Sequence, residues 1–263
     1  MLQQTQTLSD GPRTLTFPTR RRTGESREIA LPIPTFAEPA RVPLVEPAPR
    51  SELVSRVVNV VIASLALVAV TPIMALFAVL TKLTSRGPIF YSQTRVGVDR
   101  RRRYDRDAAY DRRLRDIGGR AFTIYKFRTM YVDAEKRSGA VWATKNDPRI
   151  TPFGNFMRKM RIDELPQLLN VIKGDMNIVG PRPERPGIFS KLREDIAEYP
   201  MRQMAKPGIT GWAQINHNYD TCLEDVKTKV RYDLEYIQRQ SIREDLRIML
   251  RTVPVMLFRK GAH

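Results

Sequence analysis

The protein has 263 residues, with 45 lysines and arginines against 28 aspartates and glutamates, and a formal net charge of +17. Apolar residues make up 42% of the chain, which is enough for a packed core and excludes wholesale disorder. The single cysteine excludes an internal disulfide, and two histidines argue against a Cys/His zinc site. The charge predicts an anionic partner, which could be nucleic acid, a lipid surface or a phosphorylated substrate.

Residues 1–50 are predicted to form a tail. They contain eight of the 19 prolines, a density that interrupts helix and sheet hydrogen bonding, so the tail is predicted to be disordered or extended. The arginine triplet at 20–22 resembles part of a twin-arginine export signal. No apolar stretch follows it directly, so a basic arm near an anionic surface is the preferred interpretation.

Residues 51–86 are predicted to form a membrane segment. No charged residue occurs from Val57 to Thr81, and a straight helix of that length would cross a bilayer core of about 30 Å. Such a length without charge argues against a buried core helix. Pro72 removes one amide donor and predicts a kink after Thr71. Since basic residues flank both ends, the residues alone leave open a spanning helix and one that returns to the same face.

Residues 87–263 are predicted to form a soluble-looking domain that is mainly α with a few short β-strands, an α+β fold. Alternating apolar residues predict the strands, and apolar periodicity predicts the helices. A basic amphipathic segment at 246–260 suits either a membrane interface or the core. The mixed-charge stretch at 99–119 is predicted to be a loop or an exposed helix. The predicted strands are 88–93 and 121–128, and the predicted helices are 155–160, 164–173, 189–198 and 222–240.

The sharpest local pattern is the segment 158–167, RKMRIDELPQ. It predicts an amphipathic helix with Asp163 as N-cap and a stop at Gly174, and a capping role would account for the aspartate fully. The adjacent Glu164 and the basic residues before it also suit a phosphate site. There, one carboxylate could attack phosphorus while the other holds a divalent cation such as Mg²⁺.

Five motifs in this order resemble those of the bacterial sugar transferases, the monotopic polyprenyl-phosphate phosphoglycosyl transferases that start exopolysaccharide, capsule and O-antigen assembly. The resemblance covers roughly residues 51–260. The motifs are YKFRTM at 125–130, DELPQ at 163–167, KGDM at 173–176, VGPRP at 179–183 and PGITGWAQ at 207–214.

The resemblance implies an enzyme that transfers a sugar 1-phosphate from a UDP-sugar to polyprenyl (undecaprenyl) phosphate and releases UMP. It implies that Asp163 is the nucleophile, forming a phospho-aspartate, and that Glu164 is the Mg²⁺ ligand. Arg158 and Arg182 match phosphate-contacting or nucleotide-contacting positions of the family. Two further basic residues, Lys126 and Arg128, match positions near the active site.

The family also implies a topology. It predicts a re-entrant helix broken at Thr71-Pro72, where the family usually has serine-proline, with the catalytic domain on the cytoplasmic face of the bacterial inner membrane. Interfacial amphipathic helices and an anionic bilayer belong to the same expectation. The sugar is left open between the family's usual glucose and galactose, as is the oligomeric state, a homo-oligomer included.

The net positive charge also suggests two alternative functions. A membrane-tethered nucleic-acid binder would need basic residues interleaved with aromatics on one face or a known reading helix, and no such module is recognisable. Hence no nucleic-acid partner is predicted. A non-catalytic scaffold that grips anionic lipid is the other rival, and it predicts that Asp163→Asn changes nothing.

Overall fold

The computed structural model describes residues 45–100, 118–134, 147–217 and 222–257. These residues belong to one compact unit, Leu44–His263. The predicted tail as far as residue 44, and the predicted charged stretch between 101 and 117, lie outside the described residues. Within the described part, the fold is mainly helical with a few short strands, as the sequence predicts.

The chain enters the unit through a 33-residue helix, α1, Glu52–Thr84. Ser51 caps it by accepting a hydrogen bond from the amide of Val54, and Glu52 lies in the positive first turn. The helical conformation continues through Pro72, so the predicted break at Thr71-Pro72 does not divide the segment into two helices, and the proline only removes one hydrogen bond from the ladder. The hydroxyl of Thr71 donates a 2.6 Å bond to the carbonyl of Leu67.

Among the described helices, α1 is the one long and apolar enough to cross a membrane. Only 6% of its most apolar 18-residue window is buried, whereas the core helix of a soluble protein would be mostly covered. Leu65 and Val68, for example, are 68% and 75% exposed. The helix therefore presents its apolar side chains outward, where lipid rather than protein would cover them.

Both ends of α1 nevertheless pack against the rest of the unit. Near its start, the Arg56 guanidinium donates to the carbonyls of Val171 and Ile172, and the buried Asn59 accepts a 2.7 Å bond from the amide of Ile178. Near its end, the Phe77 ring stacks on another phenylalanine, Phe153, at a centroid distance of 5.6 Å.

The described strands form two small sheets. Strands β1, Phe90–Val96, and β2, Ala121–Phe127, pair antiparallel with Phe90 opposite Phe127. Strands β3, Asn177–Val179, and β4, Gly208–Thr210, pair in parallel. Both predicted strands are confirmed, and β1 extends three residues beyond its predicted end because it pairs with β2 along its whole length.

Six α-helices follow α1 within the described residues. The predicted helices are confirmed in kind, with bounds shifted by a few residues. The helices are α2 Pro152–Lys159, α3 Gln167–Lys173, α4 Pro186–Asp195, α5 Trp212–Asn216, α6 Leu223–Arg239 and α7 Ile242–Leu257, with 3₁₀ helices at Ile162–Glu164 and Tyr199–Met204.

The core cluster that matters most for the site joins α1, β2 and α3. Buried side chains of β2 and α3 interlock there with Ala63 of α1, so the helix after the DELPQ motif is held against the strand of the YKFRTM motif. The members are Ala63, Phe122, Ile124, Leu168, Val171 and Met176.

The last six residues of the predicted tail pack on the folded unit. Val45 is buried in a core cluster, and the amide of Ala48 donates a 3.1 Å bond to the carbonyl of Ile237. Arg50 forms an ion pair with Asp245. Residues 45–50 are thus held by long-range contacts that their proline content does not reveal.

Candidate active site

The two carboxylates of the DELPQ motif lie in a turn between α2 and α3. Arg161 adopts a left-handed conformation, with φ of 56°, and the 3₁₀ helix Ile162–Glu164 follows. A non-glycine residue in that region costs about 1–3 kcal/mol, so the surrounding contacts must hold it. Asp163 and Glu164 are both buried, at 7% and 6% exposure.

The predicted capping role of Asp163 is wrong. Asp163 lies inside the 3₁₀ turn, and α3 begins only at Gln167, with Pro166 in its N-cap position. Proline cannot continue the ladder from the preceding turn because it has no amide hydrogen, so the helix starts after it. The predicted stop is confirmed, since Gly174 ends α3 in the left-handed conformation with φ of 91°.

Glu164 is held by two cations. Its Oε1 accepts hydrogen bonds from Lys126 Nζ at 2.9 Å and from Arg182 at 2.5 Å, and its Oε2 accepts a 3.3 Å bond from Arg182. Burial alone raises the pKa of Glu164, but the charges of Arg182 and Lys126 outweigh it and hold that pKa well below its usual range. Glu164 is therefore an ionised carboxylate whose two oxygens both accept hydrogen bonds.

Asp163 has the opposite environment. None of the residues that the structure describes forms a hydrogen bond or an ion pair with its carboxylate. Burial, together with the charge of Glu164, raises the pKa of Asp163, and the more distant Lys126, Arg158 and Arg182 reduce that rise. The two neighbours in sequence thus differ in electrostatic environment, since Glu164 is paired with two cations and Asp163 is not.

These carboxylates line a cavity of about 630 Å³, a size typical of small-molecule sites. Its wall is strongly cationic, which suits an anionic ligand. All six site residues predicted from the sequence border it, whereas Thr71 and Pro72 lie on the exposed part of α1. The cations are Arg95, Lys126, Arg128, Arg149, Arg158, Arg161, Arg182 and Arg185, and the acids are Asp133, Asp163, Glu164 and Glu184.

The predicted basic residues occupy different environments within that wall. Arg158, near the end of α2, is oriented by a 2.9 Å bond from its Nε to the hydroxyl of Thr129. Arg128 donates to three backbone carbonyls, of Ser85, Arg86 and Pro88, at 2.6–2.9 Å. This contact fastens the chain after α1 to β2, a positioning function that the motif does not reveal.

Asn170 is a residue that sequence reasoning missed. It is completely buried in α3, its Oδ1 accepts a 3.1 Å bond from the amide of Tyr125, and its Nδ2 donates a 2.7 Å bond to the carbonyl of Thr123. This amide pairs α3 with the edge of β2 immediately before Lys126. The sequence does contain a sign of this role, because Asn170 is a polar residue between apolar neighbours in an amphipathic helix.

Arg202 is a second missed residue, only 1% exposed. Its Nε donates a 2.6 Å bond to Asp233, and its other nitrogens donate to the hydroxyl of Tyr199 and to the carbonyl of Arg182. It thereby connects α6 to the backbone of the arginine that engages Glu164. No local pattern in its segment distinguishes it from a surface arginine.

A family model described as bacterial sugar transferase matches residues 50–259. The match covers most of the chain and all the residues of the cavity. The chain therefore belongs to the bacterial sugar transferase family, as its motifs predict.

Individual relatives agree with this. The chain is 37% identical over 216 residues to the UDP-N-acetylgalactosamine-undecaprenyl-phosphate N-acetylgalactosaminephosphotransferase of Aeromonas hydrophila, covering 82% of this chain and 46% of that protein. It is 38% identical over 215 residues to the UDP-glucose:undecaprenyl-phosphate glucose-1-phosphate transferase of Escherichia coli K12, covering 81% and 42%. A Caulobacter vibrioides protein named as the same glucose-1-phosphate transferase is 37% identical, covering 82% and 75%. The chain thus spans less than half the length of the first two relatives.

Proposed function

We propose that this protein transfers a sugar 1-phosphate from a UDP-sugar to undecaprenyl phosphate, giving undecaprenyl-diphosphate-sugar and UMP, as the first membrane step of polysaccharide assembly. The observation that carries the proposal is a buried aspartate without an ion-pair partner among the described residues, set in a cavity with eight cationic side chains. The names of the relatives support the donor and acceptor classes.

The environments of the two carboxylates support Asp163 as the nucleophile. A carboxylate oxygen of Asp163 attacks the β-phosphorus of the donor, forming an O–P bond and an acyl phosphate. The bond from that phosphorus to the bridging oxygen breaks, and its electron pair leaves with UMP. Glu164 is less suited to attack, because its oxygens already accept hydrogen bonds from Lys126 and Arg182.

In the second half of the reaction, Asp163 becomes the leaving group and the lipid acceptor the nucleophile. A phosphate oxygen of the lipid acceptor attacks the same phosphorus, and the Asp163 carboxylate leaves. Arg158 and Arg182 border the cavity beside Asp163, where cations stabilise the charge that develops on the transferring phosphoryl oxygens. Lys126 supplies further positive charge and holds Glu164 in place.

The carboxylates also fit Mg²⁺, which prefers oxygen ligands and needs few protein carboxylates when phosphates and water complete its shell. Among the described residues, no group of three or more His, Cys, Asp and Glu side chains lies together. Glu164 Oε2 accepts a single hydrogen bond, at 3.3 Å from Arg182, so it retains an electron pair for a cation. When bound at Glu164, Mg²⁺ would neutralise charge on the diphosphate.

We propose that α1 is a re-entrant membrane helix whose two ends face the cytoplasm with the catalytic domain. Arg56 near its start and Phe77 near its end both contact the same folded unit. A straight spanning helix would separate those residues by about the thickness of the bilayer core. Pro72 lies between them and supplies a point at which the helix can bend.

Helix α7 supports a membrane location from the other end of the chain. Its exposed apolar residues recur at helical spacing, with Leu246, Leu250 and Val253 at 45%, 74% and 54% exposure. Arginines at 247 and 251 accompany them. A basic amphipathic helix of this kind suits the interface of an anionic bilayer, such as the bacterial inner membrane.

The function is tested with purified protein in nanodiscs, a panel of UDP-hexoses and UDP-N-acetylhexosamines, undecaprenyl phosphate and Mg²⁺. At least one donor should release UMP and form a lipid-linked sugar diphosphate, and chelation of Mg²⁺ should stop both. If no UDP-sugar yields UMP under these conditions, the proposal is wrong.

The topology is tested by single cysteines at Ser51 and Ser85 in a Cys222→Ser background. In intact cells, both positions should be shielded from a membrane-impermeant thiol reagent and should react after permeabilisation. Labelling of the Ser51→Cys protein alone in intact cells would indicate a spanning helix.

A further inference from the structure

A second pair of charged residues, Arg95 and Glu184, lines the same cavity. Arg95 lies on β1, and Glu184 follows the VGPRP motif. Their backbones are connected, because the amide of Val96 donates a 2.9 Å bond to the carbonyl of Glu184 and Arg95 donates a 3.0 Å bond to the carbonyl of Pro183. These bonds hold the two residues side by side in the wall of the cavity.

The pair is incompletely hydrogen-bonded. Arg95 and Glu184 Oε2 are 3.7 Å apart, which is an ion pair without a hydrogen bond. The Nε of Arg95 is buried, and within the described part of the chain it has no hydrogen-bond partner. Glu184 Oε1 accepts a 3.3 Å bond from Lys229. A buried charged group without its hydrogen bonds is costly. Glu184 Oε2 accepts none from the described residues, and beside a cavity such an oxygen indicates a ligand that completes it.

The charges of Arg95 and Glu184 indicate which chemical group of a ligand could bind between them. Burial lowers the pKa of Arg95 to about 10, and the charges of Lys229 and Arg202 overcome the burial of Glu184 and lower its pKa, so both side chains are ionised at neutral pH. A carboxylate repels phosphate oxygens, which the cations around Asp163 attract. A hydroxyl is suited to the space between a carboxylate and a guanidinium, because it donates to one and accepts from the other.

We propose that Glu184 and Arg95 form a subsite that binds hydroxyl groups of the sugar-nucleotide donor. One hydroxyl donates to Glu184 Oε2 and a hydroxyl oxygen accepts from Arg95. The hydroxyls belong to the hexose or to the ribose, since both adjoin the diphosphate. This inference rests on the proposed function and names the groups that would set donor selectivity.

The test measures the kinetics of a Glu184 variant with the parent UDP-sugar and with analogues that lack single hydroxyl groups. Rates of UMP release are measured for wild type, Glu184→Gln and a control, Glu194→Gln, which changes an exposed acid on α4. The donors are the most active UDP-sugar of the panel, its monodeoxy-hexose analogues, and its 2′-deoxy- and 3′-deoxyuridine analogues. Glu184→Gln should raise KM for the parent donor about tenfold, the size expected for one hydrogen bond to a charged group, with a smaller change in kcat.

The decisive result is that the effects on KM of removing the hydroxyl and of substituting Glu184 are not additive. An analogue without the contacted hydroxyl should show a raised KM with wild type and no further rise with Glu184→Gln. A hexose analogue with this behaviour identifies the sugar as the bound part, and a ribose analogue identifies the nucleoside. The Glu194→Gln control should match wild type with every donor.

Two results would overturn the subsite. Equal penalties of Glu184→Gln on the parent donor and on all its deoxy analogues would give Glu184 a purely structural role. Normal KM values of wild type for all the deoxy analogues would do the same without any variant. If Glu184→Gln does not fold, Arg95→Lys, which keeps the charge and removes Nε, is crossed with the same donors. Absence of UMP release from every UDP-sugar would instead overturn the proposed function itself.

Discussion

Replacing Asp163 by asparagine should separate the chemistry of the site from its stability. The substitution preserves size and removes the anionic oxygen that would attack phosphorus. Because Asp163 is not a helix cap and has no hydrogen-bond or ion-pair partner among the described residues, the substitution breaks no contact between them. We therefore expect complete loss of the covalent step in a fully folded protein.

The sign of the stability change follows from the raised pKa of Asp163. Folding favours its protonated form, so the wild type loses stability as the pH rises from the ordinary aspartate pKa through the raised pKa of the folded state. Each unit of the rise corresponds to about 1.4 kcal/mol at high pH, or a melting temperature lower by roughly 2–6 °C for a domain of this size. Asp163→Asn should melt at or above the wild-type temperature at pH 8, and the difference should disappear in acid.

The assay uses UDP-sugar without a lipid acceptor. Wild type should release about one UMP per active site in a single burst, because without an acceptor the sugar phosphate stays on the enzyme as the acyl phosphate. Mass spectrometry should place the sugar phosphate on Asp163. The variant should release none. A burst from Asp163→Asn, or a mass shift on another residue, would refute the nucleophile's identity, and a markedly lower melting temperature would mean that the aspartate has a structural role.

Three further outcomes are expected. The burst rate should fall in acid at a pH above that at which an ordinary aspartate titrates, because burial raises the pKa of Asp163 and only its ionised form attacks; a limb at the usual pH would contradict this. Glu164→Gln should weaken activation by Mg²⁺, so that a Mg²⁺ titration of UMP release shifts to higher concentration and extra Mg²⁺ partly restores the rate; an unchanged titration would exclude Glu164 as the ligand. Asn170→Leu leaves the amide of Tyr125 and the carbonyl of Thr123 unpaired, which should destabilise the protein by about 2–4 kcal/mol in denaturant titrations and lower kcat; wild-type stability and kcat would show that the contact is dispensable.

Local patterns were sufficient wherever the physical cause was local. The uncharged run in α1 predicts a membrane helix because every residue in it avoids the cost of burying charge in lipid. Alternation predicts β2, and Gly174 predicts the end of α3, because only a few neighbouring residues decide those features. The motifs likewise identified the family, and the six site residues that they predict all border the cavity.

Only the tertiary structure shows which of the two carboxylates is paired with cations. Asp163 and Glu164 are adjacent in sequence and equally buried, yet Glu164 is paired with Lys126 and Arg182, which lie 38 and 18 positions away. The packing of α3 on β2 and the chain after β3 bring those partners together, and no periodicity within the DELPQ segment encodes which oxygen they reach. The sequence alone thus determined the family and the membrane helix, while long-range packing decided which carboxylate is engaged and which is free, because electrostatic environment depends on distance in space and not along the chain.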